Sequence, residues 1–150
     1  MKKGFTLVEL VITLAIISIL IGVAVASYTS FAAKGRDSKR QSDLRTLQSA
    51  LTQYRADQGK YPATLTAGQP LTNISKTRTY LQKVPSDPLT SKGTYPQYSY
   101  RPMPDSCDNS TTTKSCSGYC LYANLEDAVT VDRSSVCVDK EVYNFELPSP

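Results

Sequence analysis

The sequence predicts an α+β fold in which one long N-terminal helix packs on a small C-terminal antiparallel sheet. Three observations carry this prediction. An apolar run covers Phe5 to Ala26 with Glu9 as its only charge, an amphipathic helical pattern covers residues 34–58, and the chain after Pro62 is rich in tyrosine and turn-forming residues. We therefore divide the chain into a short basic leader (1–4), an apolar half of the helix (5–33), an outer half of the helix (34–60) and a head (61–150).

The N-terminal run does not read as an ordinary secretory signal. Such a signal carries its cleavage site after the apolar region, whereas the only processing-like junction here, Gly4-Phe5, comes before it. Cleavage at Gly4-Phe5 leaves the apolar segment on the mature chain. That segment is then expected to span a bilayer.

Glu9 is the unusual residue of the apolar run. A carboxylate in lipid costs a few kcal/mol unless it is paired or reaches the headgroups. Cleavage after Gly4 creates a cationic amine on Phe5, one helical turn from Glu9, and a neighbouring subunit offers the same amine. The alternative is an ordinary signal anchor in which Glu9 lies shallow enough to be hydrated.

The outer half of the helix carries an apolar stripe. Its members recur at spacings of three and four residues and are Leu44, Leu47, Leu51 and Tyr54. One helix from Thr6 to Gln58 is about 80 Å long, which exceeds the ~30 Å hydrocarbon core of a membrane. The stripe must therefore be covered by the head, and Gly59 followed by Pro62 ends the helix.

The head is expected to contain short strands. Its strand-like stretches are Tyr95 to Arg101, Tyr119 to Leu125, and Ser135 to Glu146 with a break near Asp139-Lys140. Thr77 to Lys83, which precedes Val84-Pro85, predicts a short helix.

Four cysteines, Cys107, Cys116, Cys120 and Cys137, lie in the head. An exported head makes disulfides the default, and three pairings are possible. We favour Cys107 with Cys116, which closes a Ser/Thr-rich loop, and Cys120 with Cys137, which staples the sheet. A zinc site is disfavoured because the chain has no histidine and the cysteines do not form two closely spaced pairs.

The residues that usually carry catalysis are missing from the sequence. Without histidine a serine nucleophile lacks its usual base, and the sequence contains no glycine-rich phosphate loop. We therefore expect no enzyme activity and no cofactor. Asp105, Asp108 and Asn109 offer oxygens to calcium, but they lack EF-hand spacing, and a solvated turn is the favoured interpretation. The ten tyrosines are better explained by strand packing than by stacking on DNA or glycans.

Charge predicts the membrane orientation. Lys2 and Lys3 precede the apolar run and place the amino terminus in the cytoplasm. The basic residues after the run weaken this prediction, namely Lys34, Arg36, Lys39 and Arg40. Removal of residues 1–4 leaves 15 basic and 13 acidic side chains, a formal charge of +2 that does not indicate nucleic-acid binding.

Over residues 1 to about 60 the chain resembles the type IV pilin and type II secretion pseudopilin family. The resemblance rests on Gly4-Phe5-Thr6-Leu7-Val8-Glu9, which matches the family's processing site. It implies cleavage after Gly4 by the prepilin peptidase, N-methylation of Phe5, and pairing of Glu9 with the amino terminus of an adjacent subunit. It also implies a pilin-like fold and, in some secretion pseudopilins, a calcium site in the late loops.

The resemblance favours a structural subunit of a type IV pilus, inserted in the membrane with its head outside the cytoplasm and then polymerised through its helix into an extracellular pilus. The partners it implies are other copies of the chain, the lipid bilayer, the prepilin peptidase, and an inner-membrane assembly platform with its cytoplasmic ATPase. Any DNA or surface ligand of the filament is left open. One alternative is a type II secretion pseudopilin in a periplasmic pseudopilus, and another is a monomeric membrane-tethered binding module.

Overall fold

A computed structural model describes residues 4–93, 96–127, 137 and 143–150. The chain forms two compact units, one up to Gly35 and one from Arg36 to Pro150. The elements follow the order α1 Leu7–Gln58, β1 Leu71–Thr72, β2 Thr79–Leu81, a 3-10 turn Thr90–Lys92, β3 Ser99–Met103, a 3-10 turn Thr112–Lys114, β4 Gly118–Ala123 and β5 Phe145–Pro148. This is the predicted α+β architecture of one long helix followed by a small antiparallel sheet.

The helix α1 contains 52 residues and matches the predicted span to within one residue at its start. It ends at Gly59, whose φ of 71° lies in the left-handed region that L-residues with a side chain disfavour. The Gly59 amide donates to the carbonyl oxygen of Arg55 at 2.8 Å, which closes the last turn.

In the second unit the strands β3, β4 and β5 form an antiparallel sheet with β4 in the centre. Tyr100 lies opposite Leu121 on β4, which in turn lies opposite Leu147 on β5. Successive residues of β4 alternate between two apolar clusters, since Tyr119 and Leu121 join the main core and Cys120 and Tyr122 join a smaller one.

The apolar stripe of the outer helix half is buried in the main core, as the spacing predicts. Leu44 and Leu51 are fully buried, and Leu47 and Tyr54 are at most 5% exposed. They belong to one cluster with Tyr61, Tyr119 and Leu121, and the rings of Tyr61 and Tyr119 meet edge to face at 4.7 Å. Burial of these side chains supplies the main stabilisation of the second unit.

The short helix predicted at Thr77 to Lys83 is wrong. Thr79–Leu81 is strand β2, paired antiparallel with Leu71–Thr72. The cause is the turn before it, where Asn73 Oδ1 accepts hydrogen bonds from the amides of Thr77 and Arg78 at 2.8 and 3.0 Å. An asparagine that caps a turn in this way reverses the chain into a hairpin.

The other strand predictions overlap observed strands with shifted bounds. The stretch from Tyr95 to Arg101 contains the start of β3, and Tyr95 lies outside the described residues. The stretch from Tyr119 to Leu125 corresponds to β4. Most of the stretch from Ser135 to Glu146, including the break near Asp139-Lys140, lies outside the described residues, and only its end falls in β5.

Candidate functional site

The first turn of α1 holds Glu9 through Thr6. Glu9 Oε2 accepts hydrogen bonds from the backbone amide and the hydroxyl of Thr6, both at 2.9 Å. In return the Glu9 amide donates to Thr6 Oγ1 at 3.3 Å, which completes a reciprocal capping box. The carboxylate thus has a partner within its own chain, and its pairing with the amine of Phe5 or of a neighbouring subunit stays a prediction.

The segment around this cap is open. Phe5 is 88% exposed, and Gly4 and Thr6 on either side of it are exposed. Gly4 has no heavy atom of another residue within 4 Å of where a Cβ would stand, its chain neighbours excepted. The junction is therefore sterically accessible to a processing enzyme.

The apolar half of α1 is exposed over residues 7–25. Its leucine, isoleucine and valine side chains are each at least 50% exposed, for example Leu10, Ile17 and Ile21. The helix is long and apolar enough to cross a membrane by length and composition. An isolated surface of this size does not persist in water, so lipid or other helices must cover it.

The head loops are held by disulfides. Cys107 is bonded to Cys116 and Cys120 to Cys137, with Cα–Cα distances of 5.3 and 5.8 Å. These are the two pairs favoured from the sequence. Disulfides typically add 2–4 kcal/mol by restricting the unfolded chain, which suits a small core.

The three oxygen-bearing residues considered for calcium are each engaged elsewhere. Asp105 pairs with Arg101 at 2.9 Å, and Asp108 accepts two hydrogen bonds from Ser110. The Asn109 side chain donates to the carbonyl oxygen of Tyr61 and accepts from the amide of Cys116. Among the described residues, no three His, Cys, Asp or Glu side chains are grouped to hold a metal ion.

A buried ionic cluster lies at the start of the second unit. We call it the Arg40 cluster, and its members are Arg36, Asp37, Arg40, Asp87 and Glu126. Arg40 is fully buried and donates to Asp87 at 2.6 Å, to Asp37 at 2.6 Å and to Glu126 at 2.8 Å. The guanidinium fork therefore joins the helix to two later segments of the chain.

Two carboxylates of the Arg40 cluster also accept hydrogen bonds from backbone amides. Asp37 accepts the amides of Glu126 and Asp127 at 2.9 Å each, and Asp87 Oδ1 accepts the amide of Leu89 at 2.7 Å. Asp37 and Asp87 are thus each satisfied by both a cation and a main-chain donor. A buried charge is tolerated only under such conditions.

The charges of the cluster shift the ionisation of its members. The hydrogen bond from Arg36, helped by one from Arg40, lowers the pKa of Glu126 to about 2. Burial alone would lower the pKa of Arg40, but the hydrogen bonds to Asp87, Glu126 and Asp37 raise it above its ordinary value. Arg40 and Glu126 therefore remain charged at neutral pH.

Sequence reasoning missed this cluster. The i,i+3 spacing of Asp37 and Arg40 indicates a helical ion pair, but Asp87 and Glu126 lie 47 and 86 residues beyond Arg40 and no local pattern links them. Two of the four basic residues that weakened the orientation prediction belong to this cluster. Arg36 and Arg40 are neutralised by carboxylates of the same unit.

Comparison with known families gives two matches. A family model described as the prokaryotic N-terminal methylation motif matches residues 1–25. A second, described as type II secretion system protein G, matches residues 27–106, which is more than half of the chain.

Known proteins similar to the chain include a fimbrial protein and a type IV major pilin. It is 32% identical over 84 residues to a fimbrial protein of Neisseria meningitidis, covering 56% of this chain and 49% of the relative. It is 39% identical over 62 residues to a type IV major pilin protein PilE1 of Neisseria gonorrhoeae, covering 41% of this chain and 38% of the relative.

A secretion protein also matches. The chain is 28% identical over 99 residues to type II secretion system core protein G of Klebsiella pneumoniae, covering 60% of this chain and 71% of the relative. The matched regions thus span half or less of the length of the two Neisseria relatives. No solved structure matches the chain significantly.

Proposed function

We propose that this chain, which belongs to the type II secretion system protein G family of pilins and pseudopilins, is a structural subunit of a type IV pilus filament. It is inserted in the membrane as a prepilin, cut after Gly4, methylated on Phe5 and polymerised through its N-terminal helix. Its role is mechanical, with no catalytic group and no resident cofactor. Calcium binding by the late loops of the head is proposed only as the less favoured alternative to a solvated turn.

The observation that carries this proposal is the exposed apolar part of the helix that begins at Leu7. Its side chains are exposed all round, and a single carboxylate sits in its first turn. Lipid can cover the apolar surface before assembly, and neighbouring helices can cover it afterwards. The loss of Gly4 and the residues before it would leave Phe5 as a new cationic amine close to that carboxylate.

Thr6 stabilises the Glu9 carboxylate in the subunit before assembly. In the uncut chain the Thr6 amide and hydroxyl satisfy Glu9 at 2.9 Å, which lowers the cost of keeping the carboxylate in the membrane. A carboxylate has two oxygens and about four acceptor positions, so it can accept an incoming amine without first releasing Thr6. Glu9 then sets the register of the filament, because one contact satisfies an amine of one subunit and a carboxylate of the next.

The experiment that tests this proposal compares Glu9→Leu with Thr13→Leu. Both variants replace a polar side chain by leucine on the exposed apolar helix. Among the described residues, the Thr13 hydroxyl donates only to the carbonyl oxygen of Leu10 on the same helix. We expect Glu9→Leu to insert in the membrane and to be lost from sheared filaments, while Thr13→Leu assembles normally. Wild-type filament yield with Glu9→Leu would refute the pairing of Glu9 with the amino terminus.

A pseudopilin of a type II secretion system is the second candidate, favoured by the protein G match over residues 27–106. The two functions share processing and polymerisation but differ in where the polymer ends. A pilus is recovered from the cell surface by shearing, whereas a pseudopilus stays in the envelope. A monomeric membrane-tethered binding module, in contrast, predicts no cleavage at Gly4 and no effect of Glu9→Leu.

The proposed topology places the amino terminus in the cytoplasm and the second unit outside it. Lys2 and Lys3 favour this orientation. The partners that follow are the prepilin peptidase, other copies of the chain, and an inner-membrane assembly platform with its cytoplasmic ATPase.

A further inference from the structure

An open cleft of about 690 Å³ lies in the second unit between the outer helix half and the loop before β3. Two lysines, Lys39 and Lys83, line it together with Pro85, Ser86, Pro88 and Gln97. Its volume falls in the range of small-molecule sites. Cations beside hydroxyl and amide groups are the chemistry that recognises a phosphate.

The charge of the cleft is positive because Asp87, the one acidic residue among those that line it, is paired with Arg40. The Asp87 carboxylate is fully buried and faces Arg40 at 2.6 Å, so its charge belongs to the Arg40 cluster. Lys39 is 59% exposed and only loosely paired, with 3.4 Å to Asp43. Lys83 is exposed and forms no ion pair with any residue that the structure describes.

The cleft is also preorganised. Gln97 Oε1 accepts the amides of Asp87 and Tyr98 at 2.8 and 3.2 Å, which fixes both sides of the loop. Pro85 and Pro88 restrict the backbone on either side of Asp87. A site that is rigid before binding loses less entropy when it is occupied.

Chain connectivity limits what can reach this cleft. Tyr28 and Phe31 are 73% and 72% exposed near the end of the apolar run, where aromatic side chains mark a membrane interface. Lys39 follows Ala33 by six residues, at most about 20 Å of chain. Lys39 therefore lies within that length of chain from the end of the apolar run, so lipid headgroups reach it at a high effective concentration and can fill even a weak site.

We infer that the cleft of Lys39 and Lys83 binds the phosphate of an anionic phospholipid and so holds the waiting subunit against the membrane surface. This inference rests on the membrane-anchored state proposed above but not on polymerisation. A basic side chain near an anionic bilayer contributes about a fivefold preference, so the pair predicts about a 25-fold preference over a zwitterionic bilayer.

The test measures lysine acylation by mass spectrometry on the full chain, with one copy per nanodisc so that no second subunit can fill the cleft. We expect phosphatidylglycerol discs to slow acylation of Lys39 and Lys83 at least about fivefold relative to phosphatidylcholine discs. Lys60, Lys76 and Lys114 lie outside the cleft and serve as controls in the same molecule. Equal rates in the two lipids, or equal slowing of the controls, would overturn the inference.

A variant separates a shared phosphate from general proximity to a charged surface. Lys83→Gln should restore most of the Lys39 acylation rate in phosphatidylglycerol discs, whereas Lys76→Gln should leave it unchanged. If Lys39 stays protected in Lys83→Gln, the two lysines do not share a ligand and the site is refuted. Protection by inorganic phosphate in phosphatidylcholine discs, without protection by phosphatidylglycerol, would assign the cleft to a soluble anion and overturn the lipid proposal. Filament yield is measured in parallel, since the assembly of Lys83→Gln tests the proposed function separately.

Discussion

Replacing Arg40 by methionine is expected to destabilise the second unit more than any surface change. The guanidinium donates to three carboxylates, and methionine keeps much of its volume but none of its donors. The three carboxylates do not lose equally. Glu126 keeps Arg36 at 2.5 Å, and Asp37 keeps the amides of Glu126 and Asp127.

Most of the expected loss in the free energy of unfolding comes from Asp87. Its side chain is fully buried, and without Arg40 the donor that remains to its carboxylate among the residues that the structure describes is the amide of Leu89. Removal of one partner of a buried ion pair typically costs 3–5 kcal/mol, because the other charge stays buried without compensation. We expect a loss of that size in the free energy of unfolding for Arg40→Met.

The measurement is urea unfolding of the full chain in detergent micelles, with disulfides intact and tyrosine fluorescence as the signal. Arg45→Met is the matched control, because Arg45 lies on the same helix and is exposed. A change at such a surface position is usually within about 0.5 kcal/mol. Adding Asp87→Asn to Arg40→Met should recover part of the loss, since the buried site then carries no charge.

A loss below about 1 kcal/mol for Arg40→Met, or no recovery when Asp87→Asn is added, would refute a stabilising role of the Arg40 cluster.

Further predictions concern the wild-type chain and its core. The pKa of Glu126 is about 2 in the folded state and its ordinary value is 4.5, so the stabilisation from this group is present above pH 4.5 and is lost as the pH falls from about 4.5 to about 2. We expect the free energy of unfolding to fall by about 2 kcal/mol over that window. This is less than the full pKa shift of Glu126 implies, because Arg36 is partly open to water. The same pH dependence should be absent in Glu126→Gln. Leu47→Ala removes a side chain that is 1% exposed in the main core and should cost 2–5 kcal/mol in the same urea assay, whereas Thr52→Ala on the exposed face should cost little. Retention of wild-type stability in Leu47→Ala would contradict the assigned core.

The helix and its buried stripe could be predicted because their signals are local. Spacings of three and four residues identified Leu44, Leu47 and Leu51, and Gly59 marked the end of the helix. Antiparallel strands next to one another in sequence are similarly visible as alternating residues, as at Tyr119 and Leu121 on β4.

The features that could not be predicted depend on distant partners. Thr77 to Lys83 has helical composition, but the Asn73 side chain closes a turn that makes it a strand. Arg40 reads as a solvated helix residue because its partners Asp87 and Glu126 become neighbours only in the folded chain. At Glu9 the sequence indicated a carboxylate that needs a partner, but it did not reveal the hydrogen bonds from Thr6.

The central claim is that the chain is processed after Gly4 and polymerised through its N-terminal helix. The most direct measurement is mass spectrometry of fibres sheared from the cell surface, compared with the membrane fraction of the same cells. The proposed pilus subunit predicts that the sheared material is dominated by a chain that begins at N-methylated Phe5. Processed chain retained only in the envelope would favour the pseudopilin, and an intact Met1 to Gly4 segment in both fractions would contradict the account.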